Sequence, residues 1–104
     1  MTEWSSESFE AAVRQAEKSL SEAGVPVGSA LDIGGRMVAS GHNRRVQDGD
    51  PIAHGEMSCL RSAGRQRSYR DAVLYTTLAP CAMCSRTIIQ FGIPTVVVGE
   101  AETF

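Results

Sequence analysis

The 104-residue sequence lacks a strong excess of either charge, has no long apolar run and contains only three cysteines. Its 12 acidic and 10 basic residues leave a net charge of -2, which gives no overall attraction to nucleic acid or to an anionic membrane. The apolar run 96–98 is too short to cross a bilayer, and the polar N-terminus has no apolar secretory segment, so a cytoplasmic protein without membrane contact is expected. An odd number of cysteines excludes a complete set of internal disulfides.

Helical and extended hydrophobic patterns alternate along the chain, and this alternation predicts a single α/β domain over residues 1–104. No repeat, linker or low-complexity tract interrupts the pattern. The polar, turn-rich stretch 42–53 predicts a loop between the second strand and the second helix. Helices are expected at residues 6–23, 54–62 and 81–91, and strands at 25–33, 37–41, 72–77 and 95–98.

The first two strands are joined by a Gly34-Gly35 turn, so they are expected to form a β-hairpin, with parallel strands following it. This order predicts a three-layer α/β/α sandwich with a mixed central sheet. The continuous apolar run at 95–98 favours a strand buried on both faces, as in the middle of a sheet. As the last strand it would expose an apolar edge, so a partner chain or a further segment is expected to cover it. The first helix is expected to bury an apolar face that contains Phe9, Ala12, Val13, Ala16 and Leu20.

Two short segments carry metal-binding groups, and each begins a predicted helix. His54-Gly55-Glu56 opens the second helix, and Pro80-Cys81-Ala82-Met83-Cys84 opens the third. The i, i+3 spacing places both thiols on one side of the first helical turn, where the helix dipole is expected to lower the thiol pKa. Zn2+ binds nitrogen and sulfur ligands tetrahedrally, and a catalytic site uses three protein ligands and leaves one position for water. The sequence therefore predicts zinc ligation by His54, Cys81 and Cys84.

Glu56 follows His54 by two residues, close enough to reach a water at the metal without being a ligand. A carboxylate there can move a proton from water to a ring and to a departing amine, which predicts hydrolytic loss of ammonia from an amidine-like carbon. A Cys-x-x-Cys pair alone could instead be a redox pair or half of a structural zinc site, with His42 or Cys59 as a spare fourth ligand. Cys59 is interpreted as a small core residue and His42 as a polar residue at a strand end.

The pairing of His-x-Glu with a downstream Pro-Cys-x-x-Cys is the signature of zinc deaminases. The sequence resembles the cytidine deaminase superfamily, and within it the small, zinc-dependent cytosine deaminases of the yeast type. The resemblance extends over nearly the whole chain, from about residue 4 to residue 104. Besides the two metal-binding segments, it is carried by Gly24-Val25-Pro26-Val27-Gly28, Gly41-His42-Asn43, Leu74-Tyr75-Thr76-Thr77-Leu78-Ala79, Gly92-Ile93-Pro94 and Val97-Val98-Gly99-Glu100.

This resemblance implies the cytidine deaminase-like fold, without the strand and helices that end the family's domain. It implies that His54, Cys81 and Cys84 bind zinc and that Glu56 moves the proton. It also implies a set of substrate contacts. Asn43 and the Gly55 N–H would bind the carbonyl side of the ring, Val27 and Leu78 would form walls, the Ala79 carbonyl would face the leaving amino group, and Phe104 would cover the ring.

The resemblance implies deamination of a free nucleobase, with cytosine or a close analogue such as isocytosine or a 5-substituted cytosine as the substrate. Three alternatives remain open at this point: a polynucleotide deaminase of the tRNA adenosine type, a guanine-type deaminase, and a non-catalytic subunit stabilised by zinc. A local cluster of basic residues consists of Arg61, Arg65, Arg67 and Arg70. Nucleic acid is not the expected partner, because this arginine cluster is interpreted as a solvated helix end and loop.

The family is typically dimeric, so a homodimer is expected.

Overall fold

The computed structural model describes residues 4–99, so the predicted ring-covering residue Phe104 lies outside the described residues. Helices and strands alternate largely as the sequence predicts, and most boundaries agree within a few residues. The helices are α1 (Ser6–Ser21), α2 (Arg45–Asp48), α3 (Gly55–Ala63) and α4 (Ala82–Phe91), and the strands are β1 (Gly28–Ile33), β2 (Arg36–His42), β3 (Ala72–Thr76) and β4 (Thr95–Val98).

The sheet has the strand order β2-β1-β3-β4. Strand β1 is antiparallel to both β2 and β3, whereas β3 and β4 are parallel. Successive residues of the central strands face opposite layers: Ala30 and Tyr75 pack in a cluster with α1, while Leu31 and Leu74 pack in a cluster with α3 and α4. The predicted three-layer α/β/α sandwich with a mixed sheet is therefore confirmed.

Helix α1 buries a different face from the predicted one. Ala12 and Ala16 are buried as expected, but Val13 is 36% exposed and Leu20 is 62% exposed. The helix instead turns its small residues to the sheet, because its backbone approaches β1 closely: a Cβ atom at Gly28 would collide with the Ala12 carbonyl oxygen. The residues of α1 that are buried instead of Val13 and Leu20 are Ser8, Ala11 and Ser19.

Strand β4 does not lie in the middle of the sheet. It is the edge strand beside β3, and all four of its residues are only half-buried. The prediction of burial on both faces is wrong, because an apolar run reports how hydrophobic a strand is and not how many neighbours it has. Cover of this edge by a homodimer partner or a further segment remains a prediction.

The stretch 42–53 is not wholly a loop. His42 ends β2, and the single turn of α2 begins at Arg45, where the Asn43 side-chain oxygen accepts a hydrogen bond from the Arg45 backbone N–H at 3.1 Å. Gly49 follows the turn with φ of 60°, a conformation that favours glycine. This connection carries Asn43 toward the start of α3.

Helix α3 lies directly on β2. A Cβ atom at Gly41 would come within 2.7–2.9 Å of backbone atoms of Ser58 and Cys59, so only glycine permits this approach. Cys59 is fully buried between the helix and the sheet, which confirms its interpretation as a core residue. Among the described residues, no helix has the length and apolar character needed to span a membrane.

Candidate metal centre and active site

The N-termini of α3 and α4 meet on one side of the sheet. His54 is the N-cap residue of α3 and Cys81 is the N-cap residue of α4, each with an extended backbone conformation. Both predicted helices therefore begin one residue later than expected, and both metal-binding segments stand at the positive ends of helix dipoles. Glu56 lies in the first turn of α3, and Cys84 lies in the first turn of α4.

Three ligand atoms converge at this point. Nδ1 of His54 lies 3.5 Å from Sγ of Cys81 and 3.7 Å from Sγ of Cys84, and all three atoms lie within 4.8 Å of one another. In a tetrahedral zinc site, with Zn–S near 2.3 Å and Zn–N near 2.05 Å, nitrogen and sulfur ligands stand about 3.6 Å apart. The cluster thus fits Zn2+, and His54, Cys81 and Cys84 are positioned to hold the ion as the sequence predicts.

Neither candidate for a fourth protein ligand joins this cluster. Cys59 is buried in the core, where its thiol donates to the Ala39 carbonyl oxygen at 3.8 Å. His42 is also buried, and its two ring nitrogens lie within hydrogen-bond distance of the side chains of Gln15 on α1 and of Glu22, the C-cap residue of α1. The geometry therefore matches the three-ligand arrangement of a catalytic zinc site better than the four-ligand arrangement of a structural one.

Burial is the main cause of the pKa shifts of His54 and Cys84 in the metal-free chain. Burial, and then the positive charge of Arg45, lowers the pKa of His54, which favours the neutral imidazole that binds metals. Burial, reinforced by the neighbouring Glu56 and Cys81, raises the pKa of Cys84 well above its usual range. The prediction that the helix dipole lowers this thiol pKa is therefore wrong for Cys84, and formation of its thiolate is coupled to metal binding.

Glu56 is a buried carboxyl group beside the cluster, with an exposed fraction of 4%. Burial raises its pKa, and hydrogen bonds from its own backbone N–H and from the Cys84 thiol oppose part of that rise. A carboxyl group whose pKa is shifted toward neutrality can accept and return a proton near physiological pH. Its position and its electrostatics therefore suit a proton-transfer role.

The cluster opens into a cavity of about 140 Å³. Four of the predicted substrate contacts line this cavity, namely Val27, Asn43, Leu78 and Ala79. Gly55 is not a lining residue but lies beside one, since a Cβ atom there would stand 3.2 Å from the Val27 carbonyl oxygen. The complete lining is Val25, Val27, Asn43, Arg45, His54, Glu56, Leu78, Ala79 and Cys81.

Sequence reasoning did not identify Val25 and Arg45 as lining residues. Val25 falls within a predicted strand, but β1 begins only at Gly28, so Val25 belongs to the segment that leads into β1 and lines the cavity. Arg45 belongs to a predicted loop, and only the turn of α2 brings it to the cavity. No local pattern marks either residue, because the path of the connecting segments decides both positions.

Asn43 is 3% exposed and is held by hydrogen bonds at three atoms. Its backbone N–H donates to the Val27 carbonyl oxygen at 2.9 Å, and its carbonyl oxygen accepts from the Ser19 hydroxyl at 2.8 Å. Its side-chain oxygen accepts from the Arg45 N–H, which leaves the side-chain NH2 group as a donor. The Asn43 side chain therefore both accepts a local backbone hydrogen bond at the turn of α2 and lines the cavity.

A three-ligand zinc site and a buried carboxyl group beside a small cavity, on an α/β/α sandwich, define the class of zinc-dependent hydrolytic centres. The profile of the family described as "Cytidine and deoxycytidylate deaminase zinc-binding region" matches residues 2–100. The chain belongs to this family.

Curated relatives differ in their substrates. Cytosine deaminase of Candida albicans is 43% identical over 99 residues, which cover 92% of this chain and 66% of that protein. A tRNA-specific adenosine deaminase of Streptococcus pyogenes is 36% identical over 94 residues, which cover 88% of this chain and 59% of that protein. The chain thus spans about two thirds or less of the length of these two relatives.

Solved structures show the same fold. A structure from a study of tRNA:A34 deaminases superimposes with a TM-score of 0.86 at 31% identity, covering 92% of this chain and 76% of that one. Guanine deaminase from Bacillus subtilis superimposes with a TM-score of 0.85 at 27% identity, covering 94% of this chain and 66% of that one.

Proposed function

We propose that this chain is the zinc-binding portion of a hydrolytic deaminase of a free nucleobase, with cytosine or a close analogue such as isocytosine or a 5-substituted cytosine as its substrate. The observation that carries the proposal is the cavity at the metal cluster, whose volume is about 140 Å³. Pockets for drug-sized ligands usually occupy about 300–1,000 Å³, so this cavity suits one small ring better than a nucleotide. The 43% identity with a cytosine deaminase supports the same substrate class.

The side chains around the cavity can be assigned roles in that reaction. Zinc, when bound, supplies Lewis-acid activation of water near neutral pH. Glu56 takes a proton from the attacking water and passes it to the ring nitrogen, and the second water proton leaves with the amino group. Water oxygen forms a new C–O bond at the amino-bearing carbon, the C–N bond breaks, and ammonia departs. The products are the oxo form of the ring and ammonia.

The remaining cavity residues would orient the ring. The free NH2 group of Asn43 would donate to a ring carbonyl oxygen, and the Gly55 N–H would assist it. The Ala79 carbonyl oxygen would accept a hydrogen bond from the departing amino group. Val27 and Leu78 would pack against the faces of the ring and exclude water. Phe104 would cover the ring, as the resemblance to cytosine deaminases implies.

A tRNA deaminase is the second candidate, favoured by the similarity to tRNA-specific enzymes at 36% identity and a TM-score of 0.86. A polynucleotide needs a basic surface that leads to the cavity. Arg61 and Arg65 instead line a separate cavity between α3 and α4, which shares no lining residue with the cavity at the metal cluster. We therefore rank this candidate below a free-base deaminase.

Ammonia release by the zinc-loaded chain tests the proposal, with cytosine, isocytosine, guanine and a tRNA anticodon stem-loop offered in parallel. Glu56→Gln is expected to lower kcat by at least about 100-fold at unchanged zinc content, because it removes the proton carrier. Glu17→Gln, on the exposed face of α1, is the matched control and should keep full activity.

Near-full activity of Glu56→Gln would contradict the assignment of the proton carrier. Turnover of the stem-loop alone would favour the tRNA candidate. Absence of turnover on all four compounds, with one zinc bound per chain, would favour a non-catalytic zinc-stabilised subunit.

A further inference from the structure

His42 is a buried residue that the metal centre does not use. It is 5% exposed, and its Nδ1 lies 2.7 Å from Oε1 of Gln15 while its Nε2 lies 2.9 Å from Oε1 of Glu22. A guanidinium nitrogen of Arg44 lies 3.1 Å from the same Nε2. The imidazole therefore joins the end of β2 to one side chain on α1 and to the side chain of its C-cap residue, although the sequence alone indicates only a polar residue at a strand end.

A continuous chain of hydrogen bonds leads from His42 to the backbone of Asn43. Oε1 of Glu22 also accepts from the Gln47 side-chain nitrogen at 3.1 Å, and that nitrogen lies 3.1 Å from the Ser19 hydroxyl oxygen. The Ser19 hydroxyl is fully buried and donates to the Asn43 carbonyl oxygen at 2.8 Å. Side chains of Ser19 on α1 and Gln47 on α2, neither of which lines the cavity, thus hold the backbone of Asn43.

None of these network residues belongs to either apolar core cluster. The zinc-binding residues stand on α3 and α4, and Glu56 stands on α3, so the chemistry and the network occupy different elements. Loss of the network should therefore loosen Asn43 while leaving the metal cluster in place.

We propose that His42 is a positioning residue for Asn43, acting through Glu22, Gln47 and Ser19 to hold the Asn43 carboxamide where it can donate to the ring. This role rests on the proposed function, in which Asn43 contacts the ring. The orientation matters because a binding group displaced by about 1 Å can lose most of its contribution. The network sets substrate affinity and not the rate of proton transfer.

A double-mutant cycle on the zinc-loaded chain with cytosine tests this role. His42→Ala should raise KM about tenfold and change kcat less than about threefold, at one zinc per chain. In the Asn43→Ala background, His42→Ala should change KM less than about twofold, because the residue through which it acts is gone. His42→Gln, which keeps hydrogen-bonding groups on the side chain, should restore most of the loss, and Glu17→Ala is the control on α1.

Gln47→Ala breaks a later link of the network at a half-buried position, and it serves if His42→Ala does not fold. Gln47→Ala should raise KM, as His42→Ala does, and an unchanged KM would overturn the proposal. Full multiplication of the His42→Ala and Asn43→Ala effects on KM would overturn it as well.

Hydrogen exchange of the Arg45 amide gives a readout that does not need turnover, because this N–H donates to the Asn43 side chain. His42→Ala, or Gln47→Ala in its place, should speed this exchange about tenfold in the zinc-loaded chain without substrate. Unchanged exchange would overturn the positioning role. Faster exchange in a chain that turns over no base would retain the positioning role and reject only the proposed function.

Discussion

At the scale of single residues, the three cysteines show how position decides the chemistry of one side chain. Cys59 lies in the core, where burial raises its thiol pKa to about 12. Cys84 is equally buried, yet its sulfur faces His54, while the exposed Cys81 completes the group. Only the latter two therefore stand where zinc can convert thiols to thiolates.

Cys81→Ala is expected to abolish stoichiometric zinc binding, because two ligands cannot hold the ion against water. Cys59→Ala is the matched control, and it should keep one zinc per chain while lowering stability by about 1–2 kcal/mol through the small cavity it leaves. Metal analysis of the dialysed proteins and urea unfolding measure the two effects. One equivalent of zinc in Cys81→Ala would remove Cys81 from the ligand set.

At the scale of elements, close backbone approach determines where the ligands stand. Helix α3 lies this close to the sheet only because Gly41 of β2 has no side chain, and the position of the helix determines where its N-cap residue His54 stands. Helix α1 approaches β1 in the same way at Gly28. Both approaches use small residues that a search for large apolar side chains does not detect.

Gly41→Ala is expected to lower the free energy of unfolding by about 1–3 kcal/mol, because the new methyl group meets backbone atoms that cannot move aside. It should also weaken zinc binding, since a displaced α3 carries His54 with it. Urea unfolding and competitive zinc titration are the measurements. Ser62→Ala, an exposed position on α3, should change stability by less than about 0.5 kcal/mol. Equal urea midpoints for Gly41→Ala and the unmodified chain would show that the packing of α3 on the sheet does not depend on this contact.

At the scale of the whole molecule, zinc connects two helices that are far apart in the sequence. The ligands on α3 and α4 are separated by the loop after α3 and by strand β3. A metal that binds only the folded arrangement stabilises it by mass action. The stability of the chain should therefore depend on zinc and, through the thiols, on pH.

Zinc at one fixed concentration, about 100 times its Kd at pH 7, should raise the Tm by about 10–20 °C over the chelated chain at that pH, and this increment should grow between about pH 6 and pH 8. The pKa of Cys84 is raised, so its thiol is protonated in the metal-free chain throughout this range, and zinc binding must release that proton. Each unit of pH therefore favours binding about tenfold for this thiol. Any protonated His54 must also lose its proton to bind zinc, so it adds to this trend, and its lowered pKa makes that addition smaller. Thermal unfolding with Cys81→Ala as a control measures the increment, and an equal increment at both pH values would contradict this linkage.

The sequence by itself determined the α/β order and the zinc ligands, because both depend on short-range spacing. A period of hydrophobic residues defines each element, and the i, i+3 thiols with a histidine at a helix start define the site wherever those helices meet. Tertiary structure decided which face α1 buries, that β4 stands at an edge, and that burial outweighs the helix dipole at Cys84. It also decided the surroundings of Asn43, since Arg45 and the His42 network come together only through the packing of α1 against the end of β2. Spacing is encoded locally, whereas burial and approach belong to contacts between segments that are distant in the chain.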